Sequence, residues 1–370
     1  MNSEKKPWYL QIKDYLLNEI TEKRLQEGDM LPSEKELSEK FQVSRITVRR
    51  AMAELEQENI ISRYPGKGTF VSSKQLVSMV QEKSSQSKKR TPYLIGVIMS
   101  HLDSPFQVSL LQSLETAIGK RGYQLMFGLS HGKHKIENEL IDRMREHGVD
   151  GLIIYPVDGA FYSEKILQMN MEGFPVVLVD RYLPGVNTCS VYSDDRKGGQ
   201  MLGEYLVNKG HKRIALFSQN PENTVCLMNR IEGFRYALLC AGIPYREEDC
   251  IENLVNCSVN HEPQQYEKNI KIIEEFLKNH SDITAVYCTI ATFAMNTLCA
   301  IRNLKKDIEI VCFDNVEPYQ WTEKLFIPYI SHPETEMGTK AVESLIKLLE
   351  GENPQSIIIP CELVDIQKEK

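Results

Sequence analysis

The chain has 370 residues, 42% of them hydrophobic, which is enough for two or three packed units. It contains no apolar run of the roughly 18 residues needed to cross a membrane. The opening MNSEKKPWYL lacks the apolar stretch of a secretory signal, so a cytoplasmic location is expected. The net charge of −7 excludes a chain that is basic throughout, but it leaves room for a local basic face.

The first 72 residues read as helices followed by a Gly-rich turn. Pro32-Ser33-Glu34-Lys35-Glu36 has the pattern of a capping box, with Ser33 as N-cap and Glu36 three residues on. After a turn at Gln42, Ser44 caps a second helix predicted to run to about Glu58. Val48, Ala51, Met52 and Leu55 recur at helical spacing and form its inward face. The opposite face carries Arg45, Thr47, Arg49 and Arg50. Arg grips guanine or phosphate, and Thr reaches a base edge or a thymine methyl. A short helix, a turn and a longer basic helix make a helix-turn-helix. Two β-rich segments, from Ile60 and up to Val71, then flank Pro65-Gly66-Lys67-Gly68, a hairpin signal with Lys67 at its tip to meet a phosphate or the minor groove. From Ser44 to Lys74 there are six basic residues against three acidic ones, a local charge of +3. Gly66-Lys67-Gly68-Thr69 is not a phosphate-binding loop, since it lacks the spacing before Gly-Lys and no helix follows.

LPSEKELSEKF, VSRITVRRAM and GKGTFV, in that order, resemble the GntR family of winged helix-turn-helix regulators over nearly all of residues 1–72. The resemblance implies sequence-specific binding to a double-stranded DNA operator, with Lys35, Ser44, Arg45, Thr47, Arg49 and Gly66 at DNA-contacting positions. Arg50 and Lys67 join them on the residue chemistry above.

Residues 73–91 are rich in Ser and Lys and read as a linker. From residue 92 to 370, seven short apolar runs alternate with amphipathic helices, starting with YLIGVIM, YQLMFGL and GLIIYPV and ending with IEIVCF. Near-continuous apolar strands separated by helices predict parallel sheet covered on both faces, an α/β doubly wound architecture. Ligands of such sheets bind beyond the carboxyl ends of the strands, where Asp180, Arg181 and Asp314 fall. Carboxylates that accept hydroxyl protons, beside a rigid Arg fork, suit a sugar or another polyol. Asp194 fits such a site or a plain helix cap, and Asp180-Arg181 fits a site or a structural ion pair. Phe106, Tyr155 and Phe161 fit either core or cleft lining.

Ser104-Pro105-Phe106, VDR at 179–181, VYSDD-x-x-GG, GHKRIA, R-x-x-GF, FDN and HP-x-x-x-MG resemble the LacI/GalR regulators and their periplasmic sugar-binding relatives over about residues 92–366. The resemblance implies a periplasmic-binding-protein-like effector domain of two subdomains. It places Ser104, Phe106, Arg181, Arg230 and Asp314 at effector-contacting positions. The sequence departs from the family at Thr289-Ile290, which stands where an Asn-Asp pair is usual. A GntR-type head on a LacI-type sensor resembles the arabinose-repressor family along its whole length. It implies a homodimeric repressor of carbohydrate-utilisation genes, released by a sugar such as L-arabinose. The Thr289-Ile290 departure leaves open a nucleobase or phosphorylated sugar, acting as corepressor or inducer.

No catalytic constellation, cofactor motif or metal site is expected. The nine cysteines form no C-x-x-C pair and read as reduced, mostly buried thiols. Ser-His-Asp ordering with a nucleophile elbow is absent, and His211, His261 and His332 stand isolated in the sequence.

Overall fold

A computed structural model describes residues 8–22, 24–58, 60–64, 68–72, 93–158, 163–222, 224–257, 262–316 and 327–365. Gly66, Lys67, Phe161, His261 and the expected linker at 73–91 lie outside the described residues.

The head comprises α1 (Trp8–Thr21), α2 (Glu34–Phe41), α3 (Arg45–Gln57) and the antiparallel pair β1 (Ile61–Tyr64) and β2 (Gly68–Val71). Both expected caps form. Ser33 accepts the Glu36 N–H while Glu36 accepts the Ser33 N–H at 2.7 Å, and Ser44 accepts the Thr47 N–H. Between them Gln42 turns the chain with φ of 54°, satisfying the end of α2 by donating to the Ser38 carbonyl. The inward face of α3, Val48, Ala51, Met52 and Leu55, is fully buried against Ile12, Leu16 and Leu37. Lys13 adds a buried clamp from α1 to α3, reaching Glu54 and Glu58 at 2.8 Å each.

The rest of the chain forms two six-stranded sheets. The first has order β4-β3-β5-β6-β7-β13 and is parallel throughout. Its strands are β3 (Tyr93–Met99), β4 (Tyr123–Leu129), β5 (Gly151–Tyr155), β6 (Val176–Val179), β7 (Cys189–Ser193) and β13 (Ile357–Ile359). Helices α4 (Pro105–Lys120) and α11 (Glu334–Leu349) cover one face, and α5 (His134–Glu146) and α6 (Glu164–Glu172) the other.

The second sheet has order β9-β8-β10-β11-β12-β14, parallel except for β14, which runs antiparallel to β12. Its strands are β8 (Ile214–Phe217), β9 (Cys250–Ile251), β10 (Ala285–Cys288), β11 (Glu309–Cys312), β12 (Tyr329–Ser331) and β14 (Glu362–Val364). Helices α7 (Asp195–Asn208) and α8 (Val225–Cys240) pack on one face, and α9 (Pro263–Asn279) and α10 (Ala291–Leu304) on the other. Both sheets are apolar on two faces, as the uninterrupted apolar runs predict.

The chain crosses between the sheets three times: after β7, after β12, and between β13 and β14. The first and third crossings are bonded together, with the Asp194 N–H on the Ile359 carbonyl and the Cys361 thiol on the Asp194 carbonyl. The first and second meet where Ser193 Oγ lies 3.2 Å from His332 Nδ1. Two paired glycines close α7 onto α8. A Cβ on Gly199 would lie 2.0 Å from the Arg230 carbonyl oxygen, and one on Gly233 would lie 1.9 Å from that of Arg196. The family-like GG and R-x-x-GF motifs thus have a packing reason.

Candidate functional site

On the head, Arg45 and Arg49 are exposed on α3, and Lys35 is exposed on α2 with Glu39 3.9 Å away. Ser44 and Thr47 hydroxyls pair at 2.9 Å, so the cap also fixes the Thr47 side chain. Arg49 is held by Glu34, with its Nε 3.3 Å from both carboxylate oxygens and Nη2 3.1 Å from one. Its hydrogen bond to the Glu34 carboxylate raises the Arg49 pKa above its ordinary value. Arg63 closes the cluster through the Arg49 carbonyl and ion pairs to Glu34 and Glu56. Arg50 has different neighbours: its guanidinium stacks over Tyr9 at 4.1 Å, and it pairs with Asp150 in the turn before β5.

In the effector domain the carboxyl ends of both sheets converge beside the crossings. Arg181, just after β6, donates to the Pro156 carbonyl at 2.5 Å, pairs with Asp158 at 2.8 Å and lies over the Tyr155 ring. Asp180 is a weaker partner at 4.0 Å, so the adjacent acid is not what anchors this arginine. Asp180 itself is buried with φ of 64°, a left-handed conformation that turns the chain sharply out of β6.

Arg230 on α8 is the second centre. It donates to Asp195 at 2.9 Å and to the Thr289 carbonyl at 3.0 Å, and its guanidinium lies 3.6 Å from Asp314 and over the Phe313 ring. Burial pushes the Asp195 carboxyl up to about 6 against the pull of Arg230. Burial also opposes ionisation of Asp314, but Arg230, His332 and the Ala291 N–H together hold it below the usual carboxylate range. Both arginines are therefore already balanced by carboxylates.

His332 is not isolated, contrary to the sequence expectation. It touches Ser193 through Nδ1 and Asp314 at 3.3 Å through Nε2, and its ring packs against Phe106 and Phe313. A Ser-His-Asp set therefore does form, although the sequence shows no such ordering. The fold assembles it across two crossings, at separations that linear spacing does not reveal. Ser193 is 2% exposed, and Asp314 is already committed to Arg230 and Ala291, so the set is built as a brace.

Ser104 caps α4, with Gln107 completing the capping box, which places Phe106 in the first turn. Asp194 takes the capping role, accepting the Lys197 N–H at 3.0 Å; its neighbour Asp195 is the one that meets Arg230. Thr289 is fully buried, its hydroxyl on Ser218 at 3.0 Å. Ile290 supplies no side-chain cap to α10, and Asp314 fills that role from the neighbouring strand by accepting the Ala291 N–H at 3.3 Å. The first and second subdomains touch across the gap where Asn229 donates to the Tyr182 hydroxyl at 3.3 Å.

A polar group at the carboxyl edge of the first sheet has no signal in the sequence. Asp158 follows β5. Glu137, on α5 and fully buried, accepts the Val157 N–H at 2.8 Å. His134 Nδ1 lies 3.7 Å from the other Glu137 oxygen. Gly132, with φ of 66°, lets the β4–α5 turn pass close to His101: a Cβ there would lie 2.8 Å from the ring. These residues carry no linear signature, because Glu137 reads as one more helix-surface acid.

Among the described residues, no group of three potential metal ligands comes together, and no helix is long and apolar enough to cross a membrane.

Residues 93–367 match the family of periplasmic binding proteins and the sugar binding domain of the LacI family, and residues 8–71 match the bacterial regulatory proteins of the gntR family. The chain is 29% identical to an arabinose metabolism transcriptional repressor from Geobacillus stearothermophilus, over 96% of this chain and 95% of that one. It is 26% identical to a repressor of the same name from Halalkalibacterium halodurans, over 92% of each. A LacI-family regulatory protein from Chloroflexus aggregans superposes with a TM-score of 0.64 at 21% identity, covering 74% of this chain and 97% of that one. The chain therefore belongs to the LacI-type periplasmic-binding and sugar-binding family, and it carries a gntR-family winged helix-turn-helix head.

Proposed function

We propose that this protein is a sequence-specific, DNA-binding repressor of carbohydrate-utilisation genes, released from its operator by a sugar of which L-arabinose is the leading candidate. Residues 1–72 bind DNA, 73–91 link, and 92–370 sense the effector. Lys35, Ser44, Arg45, Thr47, Arg49, Arg50, Gly66 and Lys67 serve the DNA, with Arg50 also placed to report on the effector domain through Asp150. Ser104, Phe106, Arg181, Asp194, Arg230 and Asp314 serve the effector, some directly and some, like Ser104 and Asp194, by capping the helices that present the cleft.

One observation carries this reading. The two cleft arginines are each neutralised by carboxylates, which suits a hydroxyl-rich uncharged ligand and disfavours a phosphorylated one. Closure on such a ligand brings the two sheet edges together about the bonded crossings. The shift in head placement follows only from the ligand's differential affinity for the open and closed forms.

The protein acts as a cytoplasmic homodimer, as two-fold operators require. Exposed Met228, Tyr236 and Leu239 on α8 support an apolar self-association face. The Ser193-His332-Asp314 set, closed off as a brace, supports reading it as a binding protein rather than an enzyme. The test is operator binding by fluorescence anisotropy with pentoses and hexoses titrated in. A sugar that raises the operator dissociation constant supports induction; tightening by a nucleobase or sugar phosphate favours a corepressor. Ile290, an apolar side chain where an acid is usual in the family, is the feature that favours that second reading.

A further inference from the structure

We infer that Glu34 is a positioning residue for DNA recognition. It grips one edge of the Arg49 guanidinium, turns the other edge outward, and so sets how sharply the head separates its operator from other DNA. This role rests on the DNA-binding reading above and adds Glu34, with Arg63 as its brace, to the residues that serve the DNA.

Capping accounts for Ser33 and Glu36 at the start of α2 but not for Glu34, the first residue of that helix. Glu34 turns instead to α3. Arg49 Nε lies 3.3 Å from each of its carboxylate oxygens, and Nη2 lies 3.1 Å from one. Those two nitrogens form the side-on edge of the guanidinium. The end-on edge, Nη1 with the outer hydrogen of Nη2, is a fork that fits guanine O6 and N7 or two phosphate oxygens. Holding one edge therefore leaves the other for DNA. The exposures agree: the Arg49 side chain is 60% exposed and that of Glu34 only 28%, so the arginine reaches outward from a carboxylate set behind it. Arg63 on β1 braces the pair, with Nη2 donating to the Arg49 carbonyl at 3.3 Å, Nη1 3.6 Å from Glu34 and Nε 3.3 Å from Glu56. Three elements, α2, α3 and β1, thus converge on one side chain.

Two consequences follow for DNA. An arginine that is already held surrenders less side-chain freedom when it meets a base, so its contact is sharper than that of a free one. Charge acts in the same direction. Arg49 and Arg63 against Glu34 and Glu56 sum to zero, so this part of the head pulls little on phosphates, the sequence-independent share of affinity. An acid beside the reading arginine weakens binding to every duplex, and the aimed fork recovers the loss only where a matching base lies opposite. Glu34 does not itself read cytosine, because Arg49 engages both of its oxygens.

The test is fluorescence anisotropy of the full chain on two duplexes over a range of salt. One is selected by the wild-type chain from a randomised pool, and the other is a scramble of it. The variants are Glu34→Gln, Arg49→Ala and the two combined. Glu34→Gln is expected to lower the ratio of the two affinities about 10-fold, the scale of one bidentate base contact. On the scramble it should steepen the logarithmic salt dependence by up to about 0.9, the slope of one further neutralised phosphate. A residue that only supports the fold would weaken both duplexes alike and leave the slope as it is. In the Arg49→Ala chain, adding Glu34→Gln should not change the ratio again, because no arginine remains to be aimed. An unchanged ratio in Glu34→Gln, an equal weakening on both duplexes, or the same fall in ratio with and without Arg49 overturns the role of Glu34 alone. If the wild-type chain selects no duplex from the pool, the DNA-binding reading fails and this role with it.

Discussion

Adding one methyl group at Gly199 tests whether close packing of α7 on α8 is what positions Arg230. The Cβ of Gly199→Ala would lie 2.0 Å from the Arg230 carbonyl oxygen, where contacts below 3.0 Å essentially never occur. The helices must therefore part by about 1 Å, and the obstacle is backbone on both sides, which cannot rotate away. Overpacking costs about 1–3 kcal/mol, and a backbone clash belongs at the top of that range. Alanine returns about 1 kcal/mol in helix propensity, leaving a net loss of about 2 kcal/mol. For a domain of this size that lowers the melting temperature by about 4–8 °C. The displacement also draws Arg230 from Asp195 and the Thr289 carbonyl, both near 3 Å, so sugar release of the operator should weaken as well. Gly119→Ala is the control, since a Cβ there meets nothing within 4 Å. Scanning calorimetry on the full chain decides the matter: if Gly199→Ala melts with wild type and with Gly119→Ala, close helix approach does not set this site.

Three other outcomes are expected. Arg49→Ala should weaken operator binding by about 1–3 kcal/mol and relax discrimination at one base pair if Arg49 reads a base; an equal loss on every sequence makes it a phosphate anchor. The Glu309 carboxyl is opposed by partial burial but held below its ordinary pKa by Lys209 and His211. A depressed carboxylate stabilises above its unfolded pKa and loses that contribution as pH falls through the folded one. Wild type should therefore lose stability below about pH 4.5 more steeply than Glu309→Gln in denaturant titrations, and parallel curves would remove this pair from the acid response. Finally, a thiol reagent should label exposed Cys240 in the native protein, while buried Cys226, Cys288 and Cys361, each pushed up to about 12 chiefly by burial, should react only after unfolding; fast native labelling of Cys288 would contradict its placement in the core.

The head was readable because its determinants are local. Ser33, Glu36 and Ser44 cap helices a few residues away, and Val48 to Leu55 repeat at the helical period. The strand runs were equally plain, since each is buried on both faces. What stayed hidden depends on long-range meetings. Glu34 gripping Arg49 spans 15 positions, and Ser193 meeting His332 spans 139. Glu137 gives no signal in the sequence, because nothing near it there announces Val157 above it. Asp194 and Asp195 could not be ranked from adjacency; only the turn of the crossing decides which one caps α7 and which one meets Arg230.

The exchange of partners at the start of α10 bears on how this family's ligand preference can diverge. Because Ile290 offers no cap, Asp314 accepts the Ala291 N–H while also holding Arg230 and His332. A side chain with three simultaneous duties is a poor place for natural variation, since any replacement breaks all three. Divergence in specificity is then channelled to positions free of such shared duties, such as Ile290, which caps nothing. The same brace can persist while the sugar it closes around changes.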